Sequence, residues 1–330
     1  MLHIHNGDCS AEIGKRSTLP GEHFAWREAL SEGPTPANLI GEEWRHRRAR
    51  HLAESYGEAL NETERELRAQ EEKLAAYTEH DEVVLWFEHD LFCQINLLYL
   101  LDWFAQHDLG QTKISLIFVG EFPGLSNFRG LGELNPEQMA SLFPGRGEVS
   151  AAQLNLATRA WTAYCSNDPT AVEQLLETDT FAMPFLKRAL DLHLERYPFV
   201  SNGLNRIQNR GLQLISGGLR RFADLFPRFG DAEPYYGLGD AQFWISLRQM
   251  SNASQPLLNT NNGDLLNGKL TPEKVQHTTF EITEIGAEVL NAQADFVELN
   301  GVDTWLGGVH LSGKTNFWRW DDQKHRLVFI

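Results

Sequence analysis

The chain has 330 residues, of which 42% are hydrophobic and 22% charged, so it is long enough for two domains and is not of disordered composition. Residues 1–200 carry 17 Lys and Arg against 31 Asp and Glu, whereas residues 201–330 carry 12 against 14. This acidity disfavours broad nucleic-acid binding. Three distant cysteines, none in a CxxC pair, indicate neither a disulfide framework nor a thiolate zinc site, and no apolar run is long enough to span a membrane. A reducing cytoplasm fits this composition.

The first segments in chain order alternate between strand and helix patterns. Leu2–Asn6 alternates like a strand, turns at Gly7 and leads into a short helix that Ser10 could cap. A second strand is predicted around residues 24–27. Residues 42–79 predict two helices, or one helix with a kink at its weak point near Gly57.

Two apolar, β-branched runs over 82–87 and 113–120 predict buried parallel strands, with a helix over 91–106 between them. Because strands alternate with helices, the crossovers are expected to be right-handed and the sheet parallel. The sequence therefore predicts a Rossmann-like α/β domain over residues 1–134.

The rest of the chain predicts a helical extension and a second, smaller domain. Asn135 and Pro136 predict a helix start, and the extension runs over 135–200. Residues 201–330 contain three short amphipathic segments followed by strands, which is the winged-helix order. We expect a winged-helix-like α+β domain that ends in a β-hairpin.

Polar residues follow each predicted parallel strand, where ligands bind in such sheets. If they converge, they could bind a divalent cation or divide acid and base roles. The alternative is that the aspartates cap helices and the glutamate after the second strand pairs with an arginine. These strand-end residues are Asn6, Asp8, Arg27, Glu28, Glu88, His89, Asp90 and Glu121.

Three further features allow a functional and a structural interpretation. Arg47 and Arg50 could grip a phosphate or carboxylate, or they could lie on a solvated face paired with nearby glutamates. Cys9 follows a turn that lacks the spacing of a nucleotide-binding loop, and it is more typical of a small buried residue than of a reactive thiol. His3 and His5 share one strand face, but no HExxH-type spacing supports zinc there.

Several segments resemble the bacterial "domain of unknown function" family numbered eighteen thirty-five. They are LHIHNGD, WREALSEGP, VVLWFEHDLFCQINLLYLLDWF and GLGELNPEQMASLF, and the later LGDAQFW, FEITEIGAEVL, WLGGVHL and WRWD resemble the C-terminal region that accompanies it. The family typically carries an aspartate where Cys93 stands here. The resemblance implies a shared architecture but carries over no activity. It adds Gln94 to the strand-end candidates.

The leading hypothesis is that the first domain binds a small phosphorylated or nucleotide-like ligand at the strand ends and hydrolyses it or transfers part of it. Glu28 or Glu88 would be the general base, Asp8 and Asp90 would hold the ligand or a divalent ion, and cationic side chains would neutralise its charge. Asn6, Arg27, Arg47, Arg50, His89 and Gln94 complete the expected ligand-binding set. The alternative is a ligand-sensing regulator whose winged-helix-like domain contacts DNA or a protein.

Overall fold

A computed structural model describes residues 1–261, 263 and 269–330. The first part of the chain alternates strands and helices as the sequence predicts. Its elements are β1 (Leu2–His5), α1 (Asp8–Arg16), β2 (Glu22–Ala25), β3 (Gly33–Pro34), α2 (Gly41–Tyr56), α3 (Leu60–Ala75), β4 (Glu82–Glu88), α4 (Leu91–Ala105) and β5 (Lys113–Val119). The predicted break near Gly57 separates α2 from α3, and Gly57 adopts a left-handed conformation at the end of α2.

The central sheet has the strand order β2-β1-β4-β5, with all four strands parallel. The chain moves from β1 outward to β2 on one side and then returns to place β4 on the other side of β1. The strand order therefore reverses between β1 and β4, and such a reversal leaves a crevice beyond the carboxyl ends of the two strands.

Alternate residues of β4 pack on opposite faces of the sheet. Leu85 and Phe87 lie in the larger core, whereas Val84 and Trp86 lie in a smaller core beneath α1. Helix α4 covers the larger core and is apolar on nearly all sides, because it is enclosed between the sheet and a helix of the next segment.

The helical extension packs on this sheet and adds one strand to it. Its elements are α5 (Pro136–Leu142), β6 (Gly147–Glu148), α6 (Ala151–Tyr164), α7 (Thr170–Leu176) and α8 (Leu186–Leu194). Asn135 and Gln138 form the capping box that starts α5, and β6 pairs antiparallel with β5.

The remaining residues form an α+β part. Its elements are α9 (Arg206–Ser216), α10 (Phe222–Ala232), α11 (Asp240–Ser251), β7 (Leu258–Thr260), α12 (Pro272–His277), β8 (Phe280–Ile282), α13 (Glu284–Leu290), α14 (Phe296–Asn300), β9 (Val302–Gly307), β10 (Val309–Gly313), β11 (Trp318–Asp321) and β12 (Arg326–Phe329). Strands β7 and β8 pair antiparallel, and the β9–β10 and β11–β12 pairs form hairpins. The predicted fold class, a parallel α/β sheet followed by an α+β part, is confirmed.

The first and last parts of the chain are joined by strand pairing. In β3, Gly33 and Pro34 pair in parallel with Leu306 and Gly307 of β9. The helical extension is tied to the same loop, because the buried guanidinium group of Arg196 donates to the carbonyl of Ser31. No helix in the described residues is long and apolar enough to cross a membrane.

Candidate functional site

A cavity of about 500 Å³ opens where the strand order reverses, at the carboxyl ends of β1 and β4. We call it the switch-point pocket. The strand ends and the 129–133 loop form one side, and residues 226–242 of the α+β part form the other. Its lining includes Asn6, Gly7, Asp8, Cys9, Glu88, Asp90, Phe92, Cys93, Arg129, Gly130, Gly132, Glu133, Phe226, Phe229, Gly230, Glu233, Pro234, Gly237, Leu238, Gly239 and Gln242.

Three buried acidic groups lie together on the inner wall of this pocket. Glu88 ends β4, Asp90 is the N-cap of α4, and Cys93 is in the first turn of that helix. The Cys93 thiol donates to Glu88 Oε2 at 2.8 Å, and the Cys93 amide donates to Asp90 Oδ1 at 2.9 Å. The amide of Leu131 donates to Glu88 Oε1 at 2.7 Å and ties the 129–133 loop to this wall.

Burial makes these groups weak acids. It raises the pKa of Glu88 to about 7, with a further contribution from the charge of Asp90. Burial also raises the pKa of Asp90 and moves the pKa of the Cys93 thiol well above its usual value. Within the described ranges, no ion pair involves either carboxylate. Near neutral pH the cluster therefore retains protons unless a cation replaces them.

Two glycines let the backbone approach these carboxylates closely. A Cβ at Gly237, where φ is +65°, would lie 1.9 Å from Asp90 Oδ1. A Cβ at Gly130, where φ is +155°, would lie 2.9 Å from Glu88 Oε1. Both positions adopt a backbone conformation that favours glycine, so larger residues would displace the loops that close the pocket.

Hydrogen-bond donors face the pocket from both sides. Helix α1 begins in the pocket with Gly7 at its N-cap, at φ +102°, and no side chain caps it. The predicted cap Ser10 is wrong, since it lies inside the helix and its hydroxyl donates to the Gly7 carbonyl. Gln242 accepts a hydrogen bond from the Gly239 amide through Oε1, and in the part of the chain that the structure describes its buried Nε2 has no partner.

Arg129 is a cation at the outer part of this pocket. It pairs with Asp231, and the two side chains are 44% and 45% exposed. On the opposite side, the buried carboxylate of Glu233 accepts from Arg206 at 3.0 Å and Arg210 at 2.9 Å, so its charge is already balanced.

Some of the predicted residues converge in this pocket. Asn6, Asp8, Glu88 and Asp90 all line it. Asn6 donates to Cys93 Sγ at 2.7 Å, which adds contact with the acidic cluster. These positions meet because β1 and β4 are adjacent and parallel, so their carboxyl ends lie at one edge.

Three other predicted residues lie around the pocket rather than in its lining. Arg27 forms a bidentate ion pair with Asp8 at the exposed rim of the pocket. Gln94 is fully buried behind the wall and donates to the Glu88 carbonyl at 2.6 Å. His89 lines a neighbouring cavity of about 730 Å³ together with Glu121, and its Nδ1 has no hydrogen-bond partner within the described ranges.

Glu28 and the two predicted arginines do not reach the pocket. The carboxylate of Glu28 is bound by Arg48, at 2.7 Å from Nη2 and 3.2 Å from Nε, and neither side chain is appreciably exposed. Arg47 and Arg50 lie on the exposed face of α2. Sequence reasoning missed Arg48, which is buried in α2 together with the small residues Ala49 and Ala53.

The histidines of β1 form a buried structural cluster with one from β2. His5 Nε2 lies 2.9 Å from His23 Nδ1, and His3 Nδ1 accepts from the indole N–H of Trp86 at 3.0 Å. The ring of His3 stacks on that of His23 with centroids 4.4 Å apart. As predicted, His3 and His5 share one strand face.

A comparison with protein-family models finds no match, and neither does a comparison with curated proteins. The family resemblance noted in the sequence therefore stays a prediction.

Proposed function

We propose that the switch-point pocket binds a small phosphorylated or nucleotide-like ligand and that the protein hydrolyses it or transfers part of it. One observation carries this proposal: the uncapped start of α1 opens into the cavity beside Glu88 and Asp90. The free amide groups and the dipole of a helix N-terminus attract phosphate. Gly7 leaves that approach open, since a Cβ there would meet no atom within 4 Å.

Two side chains of the lining, one on each side of the pocket, supply further donors for an anion. The pair of Arg129 with Asp231 is half exposed, and such pairs contribute at most about 1 kcal/mol, so a bound phosphate can compete for the guanidinium. Gln242 offers its unpartnered Nε2. Phe226 and Phe229 add an apolar wall for the rest of the ligand.

The reaction class follows from the acidic cluster beside the phosphate position. Hydrolysis or transfer needs a polar group that activates the attacking nucleophile. Glu88 and Asp90 are the buried candidates in the lining, and we give no such role to Glu28 because Arg48 occupies its carboxylate.

A thermal-shift screen tests ligand binding directly. The probes are inorganic phosphate, nucleotides and sugar phosphates, and a ligand at 100 times its Kd stabilises the fold by about 2.7 kcal/mol. We expect a shift with at least one probe that weakens in Arg129→Gln. The matched control is Arg220→Gln, which removes an exposed arginine of the Arg220–Glu281 pair elsewhere on the surface. Equal shifts in both variants, or none with any probe in the wild type, would refute the proposal.

We also propose the winged-helix-like assignment for residues 201–330. It is supported by the backbone hydrogen bond from the Phe280 amide to the Arg220 carbonyl and by the isolated bridge between Arg221 and Thr279, which place residues 220–221 beside the start of β8. The helix in the DNA-reading position would then be α11. That helix lines the pocket through Gln242, and its Arg248 lies 3.5 Å from the Ser55 carbonyl.

The second candidate function is therefore a regulator that senses the ligand through α11. Within the described chain, Asp240 and Gln249 are the exposed residues of α11, and neither is a cation. A protein partner fits this surface better than DNA. Salt-dependent retardation of random duplex in a gel shift would instead support DNA binding. Cytoplasmic residence in a bacterium remains our proposal, based on three unpaired cysteines and the family resemblance.

A further inference from the structure

The inner wall of the switch-point pocket holds three potential metal ligands within a few ångströms. One donor atom each from Glu88, Asp90 and Cys93 lies within 4.8 Å of the other two, and all three residues are buried. We propose that these residues bind a single Zn²⁺ ion whose remaining coordination position faces the pocket.

The local chain geometry explains how residues so close in sequence can share one ion. Glu88 is the last residue of β4, Asp90 is the N-cap of α4, and Cys93 is in the first turn of that helix. All three side chains therefore lie at the junction between the strand and the helix. Zinc bonds to oxygen and sulfur are about 2.0–2.3 Å long, so two donors of one tetrahedral ion lie about 3.3–3.8 Å apart. Donor atoms that already lie within 4.8 Å of one another reach that spacing by movements of about 1 Å.

A second observation points to a bound molecule in the same cavity. Gln242 lines the pocket and is only 7% exposed, yet its Nε2 has no hydrogen-bond acceptor among the described residues. Its Oε1 already accepts from the Gly239 amide at 2.8 Å, which fixes the orientation of the side chain amide. A water or an anionic group on the open position of the ion would supply an acceptor within this pocket.

The donor set distinguishes zinc from other ions. Magnesium and calcium prefer oxygen ligands, whereas a thiolate selects softer metals and Zn²⁺ accepts both sulfur and carboxylate oxygen. Three protein ligands with one open position are typical of catalytic zinc sites. On binding, the ion replaces the thiol proton of Cys93, and any proton on the carboxyl groups, and these protons pass to the buffer.

This inference deepens the proposed function, and it rests on the same pocket. A bound cation would add to the attraction of the α1 N-terminus and Arg129 for a phosphate, and because Glu88 and Asp90 would then hold the ion, activation of the nucleophile would be supplied by the ion instead of by these carboxylates. The two proposals fail separately, because metal binding is measured without any phosphorylated compound. Zinc binding without a phosphate ligand would leave the metal site intact and remove the proposed function.

The test uses the full chain, Zn²⁺ by titration calorimetry and Co²⁺ as a spectroscopic substitute. We expect one ion per chain, a thiolate-to-cobalt charge-transfer band, and displacement of that band by zinc. Cys93→Ser should remove the band and weaken zinc binding by more than the roughly 10–100-fold cost of losing a supporting group. Circular dichroism checks that the variant is folded.

The chain supplies its own matched controls. Cys165→Ser removes another buried cysteine, and Cys9→Ser removes the exposed cysteine at the pocket rim; both should keep the band and the affinity. If Cys93→Ser does not fold, Asp90→Asn tests the same site and should weaken zinc binding while retaining the thiolate band. The proposal is wrong if wild type binds no zinc, if Cys93→Ser binds it unchanged, or if Cys9→Ser is the variant that loses the band.

Discussion

Replacing Glu28 with glutamine should destabilise the fold without affecting ligand binding. The Arg48 guanidinium is completely buried, and Glu28 is its only carboxylate partner in the described structure. Arg48 also donates to the carbonyls of Ala29 at 3.0 Å and Glu32 at 2.6 Å, so the pair holds the loop between β2 and α2. Glu28→Gln leaves this cation buried without a counter-charge.

The expected loss in the free energy of unfolding is large because the Arg48 guanidinium stays buried and cannot regain its hydration. Removing one partner of a buried ion pair costs about 3–5 kcal/mol. Glutamine keeps an amide oxygen as acceptor, which places the expected value near the lower end of that range. The comparison is Asp8→Asn, which removes the charge from the Asp8–Arg27 pair, whose side chains are 57% and 60% exposed. Exposed pairs contribute about 0–1 kcal/mol, so the two variants should differ by about 2 kcal/mol or more.

Urea unfolding followed by circular dichroism measures both free energies. The thermal-shift screen then tests Glu28→Gln with any compound that stabilises the wild type, starting from a temperature at which the variant is folded. A cost within about 1 kcal/mol of that of Asp8→Asn would show that the pair does not hold the loop. Loss of the ligand shift in a folded Glu28→Gln protein would return Glu28 to the functional site.

Three further predictions concern titration, backbone strain and thiol access. Burial lowers the pKa of His3 from 6.5 to about 4, so the unfolded chain takes up a proton on this residue at a higher pH than the folded protein does. The contribution of neutral His3 to stability is therefore complete above pH 6.5 and is lost as the pH falls toward 4. His3→Gln should make the urea midpoint depend less on pH between pH 7 and 5. An unchanged pH dependence would contradict this. Gly237→Ala, which meets Asp90, should cost at least about 1 kcal/mol more than Gly218→Ala, which has φ +100° and no atom within 4 Å; equal urea midpoints would argue against the close approach. A thiol reagent should modify only the exposed Cys9 in the native protein, whereas it should modify all three cysteines in the urea-unfolded protein. Modification of a second cysteine in the native protein would show that the cores open.

The regular elements were largely predictable because each is determined by local pattern. The apolar runs that became β4 and β5 are buried on both sides, and their parallel pairing follows from the helix between them. Gly57 separates two helices because a left-handed residue ends the first. Part of the candidate site followed from the same logic, since Asn6 and Asp8 follow β1 and since Glu88 and Asp90 lie at the end of the adjacent parallel strand β4.

The remainder depended on contacts between distant segments. Strand β2 spans Glu22–Ala25 rather than 24–27, because its partner β1 ends at His5. This shift places Glu28 beyond the sheet edge, where it meets Arg48. No local pattern indicates that Gln242 would face a pocket made by the first strands, because that contact exists only after the α+β part has docked.

The pairing of β3 with β9 also constrains the order of assembly during synthesis. A ribosome delivers Gly33 and Pro34 roughly 270 residues before Leu306 and Gly307, and at about 5–20 residues per second that interval is tens of seconds. Throughout that time the loop that carries Glu28 lacks its partner strand. The protein must therefore keep an unpaired edge near its first sheet until β9 has been synthesised, and during that interval the edge is open to mispairing and to chaperones.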